Sequence, residues 1–271
     1  MNILKGFTAK MAATKFGAVA KRARGGAALS LAREIVFPLG CALCGEPLFN
    51  RREAVYGICQ DCAAHFDMSC PLEKRCRVCG KPLISEHDIC IGCRNREKPP
   101  AYDGVLVLYP YIGSGRSLLS AYKFGNHRPL ARFFAEKLYR HVQDAEAGIG
   151  RLFREGGSFA DWQWVPAPTR AGKLKEKGWD QIALIARVLE RDYSLPISRC
   201  LKRLNSQSQK ELGKQSRQTN LVGHIIAAGP VPRRVILFDD VYTTGSTLNV
   251  CAGVLKEHGA EHVFGLCLFY D

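Results

Sequence analysis

Beyond residue 100 the chain alternates short apolar runs with stretches of helical periodicity. Residues 105–109 (VLVLY), 164–165 (WV) and 235–238 (VILF) are uninterrupted apolar runs, whereas 116–142, 182–189 and 248–258 space apolar side chains three and four apart. Unbroken runs of this length suit strands buried on both faces, and their alternation with helices predicts an α/β fold with a parallel sheet. Gly148, Gly150, Gly156 and Gly157 predict a surface excursion between 116–142 and 164–165.

Neither period governs residues 41–93, which are dense in cysteine. The run RNREKPP, residues 94–100, predicts a hinge and a boundary near 100. The expected organisation is a basic tail (1–33), a cysteine-rich domain (34–100) and an α/β domain (101–271). In the tail, Ile3, Leu4, Phe7 and Met11 lie among lysines as in a basic amphipathic helix, but Gly25-Gly26 interrupts it, and the expectation is a solvated tail.

With 271 residues, 46% of them hydrophobic and 24% charged, the chain can bury a substantial core. Its apolar runs fall far short of the roughly 20 residues needed to cross a bilayer, so no transmembrane segment is expected. Lys and Arg exceed Asp and Glu by 14, which favours anionic partners. Nine of the twelve cysteines fall between Cys41 and Cys93; Cys200, Cys251 and Cys267 sit among apolar neighbours, as small buried hydrophobes do. The first 33 residues carry seven Lys or Arg and no acid, without the compact apolar block of an export signal. A cytoplasmic, reducing location is expected.

Four pairs of the form Cys-x-x-Cys stand out: Cys41/Cys44, Cys59/Cys62, Cys76/Cys79 and Cys90/Cys93. Two residues between thiolates let one tight turn aim both sulfurs at a single ion, and a second pair completes a tetrahedral Cys₄ site. Two structural Zn²⁺ sites, a double zinc ribbon, follow. The spacing leaves open whether neighbouring pairs combine or the first joins the third and the second the fourth. Cys70 is the odd member. Gly45 and Gly80, each directly after a pair, predict turns with positive φ and amides turned towards sulfur. Eight thiolates and two Zn²⁺ would lower the formal charge from +14 to about +10, so the protein stays basic.

The richest stretch is VILFDDVYTTGSTLN, residues 235–249. Asp239 and Asp240 follow the apolar run, at the carboxyl end of a strand, where open α/β sheets bind ligands. Adjacent carboxylates repel each other and resist desolvation unless they meet donors or a cation; a sugar diol with Mg²⁺ nearby supplies both. Thr243, Thr244, Gly245, Ser246 and Thr247 then lead into a helix ending near Gly259. Small residues let successive N–H groups converge on an anion, and the helix dipole favours a phosphate there. The Gly-Lys-Ser/Thr ending of a nucleotide triphosphatase loop is absent. Acids for the ribose and a nest for the phosphate describe a ribose 5-phosphate site.

This motif resembles that of type I phosphoribosyltransferases, whose donor is phosphoribosyl pyrophosphate. Together with WVPAPTRAGKLKEKGWDQ (164–181), YPYIGSGRSLLSAYKFG (109–125) and FPLGCALCG (37–45), it resembles the ComF family of competence-associated proteins from about residue 34 onwards. The resemblance implies a type I phosphoribosyltransferase-like domain behind the double zinc ribbon. It implies that Asp239 and Asp240 contact the ribose hydroxyls, that residues 243–247 hold the 5-phosphate, and that Ala167, Pro168, Thr169 and Arg170 meet pyrophosphate. Arg170, Lys173, Lys175 and Lys177 suit that anion. Gln209, Leu212, Arg217 and Asn220 match the spacing of a lid within the polar stretch 205–220, and Lys123 belongs to a matching Lys-Phe-Gly. The chain departs from the family pattern at Thr169-Arg170, where Leu-His is common, and at Trp179-Asp180, where Phe-Asn is usual.

Two functions are thereby expected side by side. One is binding of phosphoribosyl pyrophosphate or a nucleotide with Mg²⁺, extending to phosphoribosyl transfer onto an acceptor the sequence does not name. The other is a role in DNA uptake, with the zinc ribbons and basic surface meeting single-stranded DNA or other uptake proteins.

Overall fold

A computed structural model of the chain describes residues 39–67, 74–148, 161–169, 178–204 and 224–271. The basic tail, Cys70, Arg170, the three lysines after it and the expected lid residues Gln209, Leu212, Arg217 and Asn220 lie outside them. The strands, in chain order, are β1 (Gly104–Pro110), β2 (Gln163–Pro166), β3 (Leu201–Arg203), β4 (Ile225–Ala227), β5 (Arg234–Tyr242) and β6 (His262–Tyr270). Four of them form one parallel sheet ordered β1-β6-β5-β2, while β3 and β4 pair as a small antiparallel ribbon. Three short helices belong to the cysteine-rich part: α1 (Arg51–Tyr56), α2 (Gln60–Ala64) and α3 (Ile91–Arg94). Four accompany the sheet: α4 (Gly113–Phe124), α5 (Leu130–Gly148), α6 (Gln181–Tyr193) and α7 (Ser246–Glu257). No helix among the described residues is long and apolar enough to cross a membrane.

The α/β expectation holds, with three differences. The stretch 116–142 is two helices, because α4 ends at Gly125 and Asn126 turns with φ +56°. Strand β6 adds to the expected elements. Strand β5 outruns the apolar run 235–238: Val241 and Tyr242 still pair with Phe269 and Tyr270, so the two aspartates lie inside its second half rather than beyond its end.

Strict alternation along β5 sorts the core into two layers. Ile236 and Phe238 face α4, α5 and α6, meeting Leu118, Leu119, Phe134 and Ile185; Val235 and Leu237 face α7, meeting Leu248, Cys251 and Leu255. Cys200, Cys251 and Cys267 are buried in the second layer, as expected of small hydrophobes.

The two halves of the cysteine-rich part pack on opposite sides of this sheet. The first joins the α4–α6 layer through Phe66, whose ring meets Tyr109 and Phe133 edge-on at 5.2 and 5.7 Å and whose carbonyl accepts from the Tyr109 hydroxyl at 2.7 Å. The second lies with the α7 layer and against the open edge of β1. There Arg75 donates to the carbonyls of Val107 and Gly80, and a side chain on Gly80 would run into the Val105 carbonyl. Residues 94–100 are consequently no free hinge. Arg96 binds the sheet domain, and just beyond the run the Ala101 N–H donates to Asn249 at 2.7 Å while Asp103 accepts from the Val263 N–H at 2.7 Å.

Candidate functional site

The cysteines combine as neighbours. Cys41, Cys44, Cys59 and Cys62 form one cluster and Cys76, Cys79, Cys90 and Cys93 another, the sulfurs of each lying within 4.8 Å of one another. A Zn–S bond of about 2.3 Å gives a tetrahedron with edges of about 3.8 Å. The Cys44–Cys59 and Cys79–Cys90 sulfurs are 3.8 and 3.7 Å apart, so the donor sets fit Zn²⁺.

The clusters are copies of one another, a repeat that the residues carry as Cys-x-x-Cys-Gly-x-Pro-Leu at 41–48 and 76–83. Gly45 and Gly80 turn with φ +80° and +69°, as expected, although their N–H groups go to the Cys41 and Cys76 carbonyls rather than to sulfur. The sulfur-directed amides are those of Cys59 and Cys90, each donating 3.4 Å to the first sulfur of its cluster. Burial pushes the Cys41 and Cys76 thiols up, but these and neighbouring N–H groups outweigh it and hold them at about 6 and about 7. The first cysteine of each cluster is thus shifted towards the thiolate, the form in which a thiol binds metal.

The second site gathers at the carboxyl end of β5. Asp240 pairs with Lys123 from the last turn of α4 at 2.7 Å, both side chains about four-fifths buried. Asp239 accepts from the Asp240 N–H at 2.8 Å. Burial, and after it the charge of Asp240, push the Asp239 carboxyl up to about 7, against partial relief from that N–H and from Lys123. Two carboxylates, one already salt-bridged and one close to losing its proton, can accept donors from a vicinal diol.

The chain after β2 runs alongside. Ala167 donates its N–H to the Phe238 carbonyl at 2.9 Å, one residue before the acids. Thr169 donates to Asp180, which also accepts from the Ala183 N–H at 2.9 Å and so caps α6. The two departures from the ComF pattern therefore meet in space. Trp179 packs edge-on to Tyr122, and the Arg128 guanidinium lies 5.5 Å from its ring.

Beyond β5, Thr243, Thr244 and Ser246 are exposed, Thr247 is half-buried and Gly245 is buried. Gly245 caps α7 with φ +78° and no side-chain hydrogen bond; a Cβ there would stand 2.6 Å from the Tyr242 hydroxyl. At the first turn of α7 the Ser246 N–H donates to the Thr244 hydroxyl at 3.3 Å, and the hydroxyls of Thr244 and Ser246 are 2.7 Å apart. A helix of twelve residues opening this way favours an anion.

Of the expected residues, the structure brings together Asp239, Asp240, Lys123, Ala167, Pro168, Thr169 and residues 243–247. It adds two that the sequence did not single out for this site. Asp180 fixes the loop after β2, and Arg96 reaches the loop after β5 by donating to the Thr244 carbonyl at 3.1 Å. An N-cap aspartate before an apolar period could have flagged the first.

Comparison with known proteins agrees with this layout. The double zinc ribbon family model matches residues 32–95. Over 220 residues the chain is 29% identical to competence protein F of Haemophilus influenzae, covering 79% of this chain and 90% of that protein. It is 23% identical over 232 residues to competence protein ComFC of Streptococcus pneumoniae, covering 82% and 96%. It is 26% identical over 231 residues to DNA utilization protein YhgH of Escherichia coli K12, covering 84% and 95%. The resemblance to the ComF family seen in the residues thus extends over most of the chain, whose homologues are competence proteins of this kind and which carries a double zinc ribbon at the N-terminal side of an α/β sheet.

Proposed function

We propose that the chain is a ComF-like protein that binds phosphoribosyl pyrophosphate or a nucleotide with Mg²⁺ on a type I phosphoribosyltransferase-like domain, and that it serves DNA uptake, as the names of its relatives indicate for them. One observation carries the ligand assignment. An acidic pair on β5, countered by Lys123, stands directly before an exposed hydroxyl loop that opens a helix, so sugar hydroxyls and a 5-phosphate find opposite chemistry a few residues apart.

In this reading Asp239 and Asp240 accept the ribose hydroxyls, residues 243–247 donate to the 5-phosphate, and Ala167, Pro168, Thr169 and Arg170 border the pyrophosphate. Mg²⁺ supplies charge neutralisation for the pyrophosphate oxygens. Residues 205–220, with Gln209, Leu212, Arg217 and Asn220, exclude water as a lid. The zinc ribbons stay structural: four thiolates around each ion leave no open position. The net charge of +14 favours single-stranded DNA as a further partner.

Calorimetric titration with phosphoribosyl pyrophosphate and Mg²⁺ tests the assignment. Saturable binding is expected, and the Asp239→Asn/Asp240→Asn double variant should lose it while keeping its circular dichroism and both zinc ions. Equal affinity in the variant would remove the reading. Transfer proper requires the ribosyl C1–oxygen bond to break, pyrophosphate to leave and an acceptor nucleophile to bond C1. Pyrophosphate release that depends on an added acceptor would show it.

A further inference from the structure

Arg96 lies three residues after Cys93, the last ligand of the second cysteine cluster, and its N–H donates to the Cys93 carbonyl. Its guanidinium spans three acceptors: the Tyr102 hydroxyl at 2.9 Å, the Tyr242 hydroxyl at 2.8 Å and the Thr244 carbonyl at 3.1 Å. The two phenols are buried and 2.9 Å from each other. Tyr242 closes β5, and its ring is the surface on which Gly245 rests. The first cluster makes no such contact among the described residues; it packs on the other layer.

A carbonyl held by a guanidinium fixes the plane of its peptide, and the other end of the Thr244–Gly245 peptide is an N–H of the loop opening α7. We infer that Arg96 is a positioning residue for the phosphate loop, and that loading of the second zinc site, but not the first, is coupled through it to affinity for a phosphomonoester. This rests on the reading of residues 243–247 as the 5-phosphate loop. Physically, the zinc fixes the turn carrying Cys90 and Cys93, which fixes the start of the Arg96 side chain. A fork with several donors then loses little freedom in bridging two phenols and one carbonyl, which a lysine ammonium cannot match.

The test uses the full zinc-loaded chain, titrated calorimetrically with ribose 5-phosphate and with phosphoribosyl pyrophosphate plus Mg²⁺. Arg96→Ala should weaken both ligands by the same factor, about tenfold, with zinc content unchanged at two; Arg96→Lys should recover less than half of that loss on a logarithmic scale. Cys90→Ser should reproduce the loss, whereas Cys59→Ser, which disrupts the first site, should leave ribose 5-phosphate affinity within twofold of wild type. Should a cysteine variant fail to fold, the Arg96 pair decides. Wild-type protein that ignores ribose 5-phosphate would remove the phosphate reading itself. Wild-type binding with an unaffected Arg96→Ala, full rescue by lysine, or a loss appearing equally in Cys59→Ser would overturn the coupling alone.

Discussion

Thr169 donates a hydrogen bond from its hydroxyl to the carboxylate of Asp180, joining the loop after β2 to the N-terminus of α6. Each residue stands where the chain departs from the ComF pattern, and together they tie these two elements to each other. Replacing Thr169 leaves Asp180 its bond from the Ala183 N–H, whereas replacing Asp180 removes both bonds at once. Asp180→Ala should cost about 1 kcal/mol of stability from the lost cap, read as a lower denaturation midpoint. Because it also releases the loop after β2, it should weaken phosphoribosyl pyrophosphate more than ribose 5-phosphate.

If Asp239 accepts the ribose hydroxyls as proposed, ligand binding should be pH-dependent. With its carboxyl at about 7, it is mostly protonated at pH 6 and cannot serve a diol fully as an acceptor. Affinity for ribose 5-phosphate should climb by up to about tenfold per unit as pH rises towards 7 and level off above 8. Calorimetry across pH 5.5 to 8.5 measures this; a flat profile would contradict it.

The same carboxyl bears on stability with a definite sign. Its folded value lies above the ordinary 3.8, so between about pH 4 and 7 the folded state keeps a proton that the unfolded chain has released, and stability falls as pH rises through that window. Asp239→Asn, which cannot ionise, should melt at a higher temperature than wild type at pH 8. The gain should shrink as pH approaches 5.

The repeat offers a contrast at equivalent turns. A Cβ on Gly45 would meet nothing within 4 Å, so Gly45→Ala should cost only the strain of a left-handed residue, about 1–2 kcal/mol. On Gly80 the same atom would run into the Val105 carbonyl oxygen, which is backbone and cannot swing aside. Gly80→Ala should therefore lower the melting temperature clearly further, although both variants keep all eight thiolates.

The sheet and the acidic end of β5 were legible because a strand buried on both faces leaves an unbroken apolar run, and because VILFDD followed by small hydroxyl residues combines two kinds of chemistry in one short stretch. The length of β5 was not. Asp239 and Asp240 look like the end of a strand, yet pairing with β6 carries the backbone past them to Tyr242. The sulfur pairing was open because spacing alone permits more than one combination, and packing of each half on its own side of the sheet selects neighbours. Arg96 was the least legible: its partner Tyr242 lies 146 residues away, and in the sequence it sits in a polar run ending in two prolines, where a linker is the natural expectation.

The second cysteine unit, with Arg75 on the Val107 carbonyl and Gly80 against Val105, occupies the rim of β1 that would otherwise present unpaired backbone groups. Sheets left open at such a rim invite another strand to dock there. Here a metal-braced knob serves as an end-stop, so self-association or partner capture by strand addition on that flank would first require the knob to be dislodged, and stripping zinc would then expose a sticky margin as well as loosen a fold.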